Sequence, residues 1–242
     1  MLSEIKNIRI EAISACLPDK ILSLTEYAPN LITEKEVKRF VKNTGFSTLA
    51  IADDNVTASD LCRSAAENIF GTANINKSEI DALIFVSQTS DWYLPATSHY
   101  LQHKLELSED ILCFDINEGC SGYVQGLYLA SVLIQSKQCN KVLLLAGDTI
   151  SKITNPNDRA TRLIFGDAGT ASIISGSTDK NIYFNINTYG GRYQAIITAN
   201  SRHRITPPFE YRRRTFVFRW YGYNGFYFKR CTIKHAKINA IC

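Results

Sequence analysis

Residues 111–137, ILCFDINEGCSGYVQGLYLASVLIQSK, decide the fold. ILCFDI at 111–116 reads as a strand, and a long helical segment follows from Ser121 to Lys137. Along it Tyr123, Val124, Leu127, Tyr128, Leu129, Ala130, Val132, Leu133 and Ile134 leave almost no polar face. Such a helix is expected to run through the middle of a domain rather than along its surface. Gly119, Gly122 and Gly126 lower helix propensity, and the expected compensation is close backbone approach. Cys120 stands where the strand turns into the helix. There the free N–H groups and the positive end of the helix dipole favour a thiolate, and they offer donors to the oxyanion formed by attack on a thioester. A packed cysteine in a tight turn satisfies the same pattern.

Working outward, IRIEAI at 8–13 alternates like a half-buried strand, and 33–43 opens with Thr33 and Glu36 at capping-box spacing and ends near Gly45. Residues 59–70 form a second helix with Leu61, Ala65, Ala66 and Ile69 on one face, ending before Gly71. Strands are expected at 80–86, 141–147 and 169–175, with a further helix at about 96–106. Strands alternating with helices predict an α/β sheet with layered helices.

The 242 residues are 45% hydrophobic and 21% charged, a globular composition that excludes disordered and fibrous classes. The seven cysteines include no CxxC pair, so neither a zinc cluster nor a disulfide framework is expected. His99 and His103 lie one turn apart on a predicted helix and are expected to be surface or interface residues, so no metal site is assigned. No apolar run is long enough to span a membrane, and a cytoplasmic protein is expected. The net charge of +4 is uneven: residues 1–192 hold 17 Lys and Arg against 22 Asp and Glu, a balance of −5. Residues 193–242 hold 10 against 1, a balance of +9, and contain 11 of the 26 aromatics.

FDINEGCSGYVQGL (114–127) resembles the nucleophile segment of the β-ketoacyl-acyl carrier protein synthase III family of the thiolase superfamily. IDALIFVSQTSDWYLPATSHYLQHKLEL (80–107) is similar to the family's strand, dimer loop and helix, and NKVLLLAGDTISKITNPNDRATRLIFGDAGTASIIS (140–175) to the segment after the nucleophile helix. The resemblance implies a thiolase-like layered αβαβα sandwich built from two βαβαβαββ halves. The first half is essentially complete here, at 1–176, and 177–242 is a remnant of a missing or truncated second half. It implies an acyltransferase for fatty-acid or polyketide-like chain initiation, with no permanently bound cofactor. An acyl group passes from coenzyme A or acyl-carrier phosphopantetheine to Cys120, then condenses with malonyl-carrier protein. By the same resemblance, Arg159 contacts coenzyme A, Leu94 reaches the acyl pocket of a neighbouring subunit, and a homodimer forms through the 88–95 loop and its neighbouring strand. The glycines of GDAGTA (166–171) are expected to shape the cysteine pocket. Acyl carrier protein and acyl-coenzyme A are the implied partners.

The departures matter as much. The family's second half supplies a His and an Asn that stabilise the enolate, and neither His203 nor His235 lies in a matching motif. Acyl transfer to Cys120 is then expected without decarboxylative condensation. Asn43 and Arg39 stand where the family has an Arg and an adenine-stacking Trp, both of which hold coenzyme A there, so a carrier-protein donor stands open beside coenzyme A. Glu118 puts a carboxylate beside the nucleophile. Residues 209–228 (FEYRRRTFVFRWYGYNGFYF) interleave arginine with aromatics, leaving a nucleic-acid-binding module as one alternative. A non-catalytic thiolase-like subunit that pairs with a complete synthase is another. The abrupt change near residue 198 further suggests an out-of-frame tail.

Overall fold

The computed structural model describes residues 1–199 and 215–218. In chain order the elements are β1 (Leu2–Cys16), β2 (Ile21–Ser23), α1 (Leu24–Tyr27), α2 (Glu34–Thr44), β3 (Thr48–Ala50), α3 (Ala58–Thr72), β4 (Ala82–Val86) and α4 (Thr97–Lys104). They continue with β5 (Leu112–Ile116), α5 (Gly122–Gln135), β6 (Lys141–Thr149), α6 (Arg159–Arg162), β7 (Asp167–Asn185), β8 (Ile196–Ala199) and β9 (Thr215–Phe218). One sheet in the order β1-β7-β6-β4-β5 forms the centre, and β2/β3 and β8/β9 are separate two-stranded ribbons. β4 runs parallel to both β5 and β6, while β7 is antiparallel to β6 and β1. Parallel neighbours need a crossover, and α4 and α5 supply the two that surround β4.

The sheet is covered on both faces, which explains the continuous apolar strands. All five residues of β4 are buried. Leu83 and Phe85, with Leu143, Leu145, Ala171 and Ile173, face the layer formed by α3 and α4. Ala82, Ile84 and Val86, with Val142, Leu144 and Ile174, face α5. A third cluster, Leu24, Tyr27, Ile32, Leu49, Ile51 and Leu163, ties the α1–α2 lobe to the end of α6.

Helix ends follow the local chemistry. At α2 the Glu36 carboxylate accepts from the Thr33 N–H at 3.0 Å and the Thr33 hydroxyl at 2.8 Å. The same helix stops at Gly45, whose φ of 87° is left-handed. α3 departs from expectation at both ends: Thr57 is its N-cap, and it continues through Gly71 to Thr72. The start is set by Thr57 and Asp60, each of which accepts from the other's backbone N–H.

Two further features bear on organisation. α5 buries one side on the sheet, but Leu129 and Val132 on its other side are 38% and 37% exposed, so among the described residues it is an outer layer rather than a central one. β7 runs through 176/177 to Asn185, with irregular pairing at that point: Ile8 faces Gly176 and Lys6 faces Asn181, leaving Asn7 opposite residues 177–180. Of residues 193–242, those at 193–199 and 215–218 fall within the described residues, where β9 pairs with β8; the basic aromatic segment 209–228 otherwise lies outside them.

Candidate active site

β4, β5 and β6 are parallel and end on one edge of the sheet, where the loops that follow them gather. Cys120 sits there, in the turn between β5 and α5, and its thiol is exposed. The turn closes with the Gly122 N–H donating to the Gly119 carbonyl at 2.7 Å. Ser121, the N-cap of α5, makes no side-chain bond to a backbone N–H of the helix, its hydroxyl accepting instead from Gln125 Nε2 at 3.4 Å, so the first turn keeps its N–H groups uncapped by a side chain. The helix dipole thus ends beside the sulfur.

Glycine at this turn and in the first turns of α5 is a packing requirement, as the sequence suggested. A β-carbon at Gly122 would stand 2.5 Å from Val86 Cγ1, and one at Gly126 2.6 Å from Leu144 Cδ1. The helix backbone therefore rests directly on β4 and β6. At Gly119 the neighbour is the Gln88 carboxamide, whose Oε1 would be 2.9 Å from an added β-carbon. Tyr123, in the first turn of α5, reaches across to Ser172 of β7, with the two hydroxyl oxygens 3.0 Å apart, and its burial pushes the phenol pKa up. Glu118 is half-buried, with its Cβ 3.0 Å from the position of an added Gly122 β-carbon.

The GDAGTA glycines act elsewhere than expected. Gly169 lies against the α3 backbone at Leu61 and Cys62, on the face of the sheet opposite α5, so it sets the approach of α3 rather than lining the cysteine turn. Asp167 between them is 2% exposed. Its carboxylate accepts from the Ala52 N–H at 2.8 Å, the Ser151 N–H at 2.9 Å and the Ser151 hydroxyl at 2.6 Å, binding three loops together.

Arg159 opens α6, and its Nη2 donates to Glu36 Oε1 at 3.0 Å. Backbone and hydroxyl bonds from Thr33 and this guanidinium together hold the Glu36 carboxyl at a pKa of about 2. Arg39 and Asn43 are exposed on the same α2. Leu94 is 86% exposed on the loop after β4, in a stretch with Trp92 at 48% and Tyr93 at 59%. β5 beside it is an edge strand, with Leu112 at 48%. His99 and His103 are exposed on α4, away from the Cys120 turn in sequence, and no cluster among the described residues is fit to hold a metal ion. No helix among them is long and apolar enough to cross a membrane.

One element of the site was missed from the sequence. Asp148 terminates the apolar run of β6, and its Oδ1 accepts from the Ser87 hydroxyl at 3.0 Å, the Gln88 N–H at 2.8 Å, the Thr89 N–H at 3.0 Å and the Thr89 hydroxyl at 2.9 Å. The signal is an acid directly following KVLLLAG, where a half-buried carboxylate at the end of a buried strand needs hydrogen-bond donors.

A family model described as 3-oxoacyl-[acyl-carrier-protein (ACP)] synthase III matches residues 114–190, the segment holding Cys120 and Arg159. The chain is 33% identical over 197 residues to the beta-ketoacyl-[acyl-carrier-protein] synthase III of Ehrlichia canis, covering 80% of this chain and 61% of that protein. A solved 3-oxoacyl-(acyl-carrier protein) synthase from Burkholderia xenovorans superposes with a TM-score of 0.81 at 38% identity, over 86% of this chain and 59% of that one. The synthase III structure from Thermus thermophilus gives 0.74 at 26% identity, over 87% and 64%. The chain thus spans about three-fifths of the length of the relatives it matches. The three-layer unit seen here corresponds to part of their thiolase-like fold. A shared sheet order is weak evidence of kinship by itself, but agreement of sequence across the cysteine turn and of fold across four-fifths of the chain is not. In sequence around Cys120 and in fold, the chain is similar to the 3-oxoacyl-[acyl-carrier-protein] synthase III family.

Proposed function

We propose that the chain is an acyltransferase of the synthase III type in which Cys120 takes the acyl group. The observation that supports this most is the exposed thiol at the N-terminus of α5, held there by glycines that let the helix lie on the sheet. Attack by the thiolate on an acyl thioester forms the Cys120–acyl bond and breaks the donor carbon–sulfur bond, and the donor leaves as a thiol after taking a proton. The N–H groups at the turn are suitably sited for the transient oxyanion, with the Cys120 N–H as one donor. In the complete family reaction a carbanion from malonyl-carrier protein then attacks the acyl carbon, releasing carbon dioxide and restoring the thiol. The described residues include only His99 and His103 as histidines, both on α4, so this half offers the acyl-transfer step.

The donor we assign is an acyl-carrier phosphopantetheine thioester in preference to acyl-coenzyme A. Arg39 replaces an aromatic stacking surface, and Arg159 is engaged by Glu36 rather than turned to a nucleotide. We further place the nucleophile-bearing half at 1–176 and the start of a second half at 177–242. The exposed Leu94 loop and edge strand β5 suit a homodimer contact, and a cytoplasmic location fits the chemistry. Incubation with acyl-carrier protein and acyl-coenzyme A, followed by intact-protein mass measurement, tests the reading. A gain of one acyl group from the carrier donor is expected. No gain with either donor overturns it and favours a non-catalytic subunit that pairs with a complete synthase.

A further inference from the structure

The loop after β4 and the turn after β5 meet beside the nucleophile, and one carboxylate governs the first of them. The Oδ1 atom of Asp148 collects four donors from three consecutive residues, Ser87, Gln88 and Thr89. Two additional bonds lock the arrangement: the Thr149 N–H donates to Thr89 Oγ1 at 2.9 Å, and the Ser87 N–H donates to the Ile116 carbonyl at 3.1 Å. The ends of β4, β5 and β6 are thereby tied at one point. Gln88 is held by its backbone while its side chain is left exposed, and the carboxamide lies over Gly119, one residue before Cys120. Burial opposes the charged form of Asp148 and the four bonds favour it, with burial the larger influence and the pKa raised. A carboxylate kept at such a cost is better explained by what it positions than by stability alone, since an apolar residue ends a buried strand more cheaply.

We propose that Asp148 is a positioning residue for the nucleophile: it fixes the Ser87–Thr89 turn so that Gln88 braces Gly119 and holds the Cys120 main chain where its N–H groups meet a thioester oxygen. Gln88 is the contact through which the effect passes. The inference builds on the acyl-transfer reading, and its test is chosen to separate the two.

Asp148→Ala, Asp148→Asn, Gln88→Ala and the double variant Asp148→Ala/Gln88→Ala are compared in the full chain. Acylation of Cys120 by an acyl-carrier thioester is followed against donor concentration, alkylation of Cys120 by iodoacetamide is followed in parallel, and thermal unfolding reports the fold. The expected result is a fall in the maximal acylation rate on the order of 10–100-fold for Asp148→Ala, with the half-saturating donor concentration nearly unchanged. Asp148→Asn keeps the Oδ1 acceptor and is expected to recover most of the rate. Gln88→Ala is expected to reproduce much of the loss, and the double variant to be no slower than Asp148→Ala, as for two residues acting in one chain of contacts. A lower melting temperature with an unchanged maximal rate overturns the proposal, as do strictly additive losses. If Asp148→Ala does not fold, Gln88→Ala and Asp148→Asn decide. If the wild type alkylates at Cys120 but takes no acyl group, the acyl-transfer reading has failed; a Gln88→Ala alkylation rate equal to wild type then overturns the positioning role as well, whereas a changed rate upholds it.

Discussion

Glu36 Oε1 and Arg159 Nη2 stand 3.0 Å apart, joining α2 to α6 across 123 positions of sequence. The other carboxylate oxygen of Glu36 is committed to Thr33 at the start of its own helix, so a single side chain both caps α2 and restrains Arg159. Any ligand that recruits Arg159 must compete with this pair.

The pH dependence of that contact has a definite sign. Glu36 has a folded pKa of about 2 against an ordinary 4.5, so its charged form is favoured by folding. Its contribution to stability is fully present above about pH 4.5 and is lost as pH falls toward 2. Melting temperatures of wild type and Glu36→Gln, measured from pH 7 to pH 2, should differ by a constant amount above about pH 5 and converge in acid. A difference that grows toward acid contradicts the assignment.

Two glycines should differ in their tolerance of a methyl group. At Gly126 the obstructing atoms are side-chain carbons of Leu144 and Val86, which can shift, and the helix gains about 1 kcal/mol in propensity. At Gly169 the obstruction is the backbone of Leu61 and Cys62. Gly169→Ala should therefore cost about 3 kcal/mol and Gly126→Ala about 1 kcal/mol, read from urea unfolding midpoints.

Thiol labelling should rank the described cysteines. Burial pushes Cys62 up to about 12, so at pH 8 its thiolate is about a thousandfold scarcer than that of an ordinary thiol, and its sulfur is out of reach besides. Cys120 is the exposed member. Peptide mapping after brief iodoacetamide treatment of the native protein should find Cys120 modified and Cys62 and Cys139 untouched. Early modification of Cys62 would mean that α3 separates readily from β7.

The legible parts of the fold were those whose cause is local. β4, β6 and α5 declared themselves because strands covered on both faces and a helix resting on a sheet leave long apolar runs, and Gly122 and Gly126 announced the close approach. Thr33 and Glu36 gave the start of α2 by spacing alone. What was not legible depends on residues distant in sequence. Asp148 reads as an ordinary strand end until Ser87, Gln88 and Thr89 are brought to it, 59 to 61 positions away. Arg159 looks free until α2 folds against α6. The role of Gly169 is not legible locally, because its place in the GDAGTA turn says nothing of which face of the sheet it serves. The outer side of α5 is apolar by composition, and among the described residues Leu129 and Val132 stand 38% and 37% exposed on it.

The central claim is that Cys120 is the acyl acceptor, and locating the thioester tests it most directly. Wild type, Cys120→Ala and Cys62→Ala are incubated with acyl-carrier protein, quenched in acid and digested, and the peptides are sequenced by mass spectrometry. The prediction is a hydroxylamine-sensitive acyl group on the peptide spanning Cys120, present in wild type and Cys62→Ala and absent from Cys120→Ala. An acyl group that persists in Cys120→Ala, or none in the wild type, contradicts it.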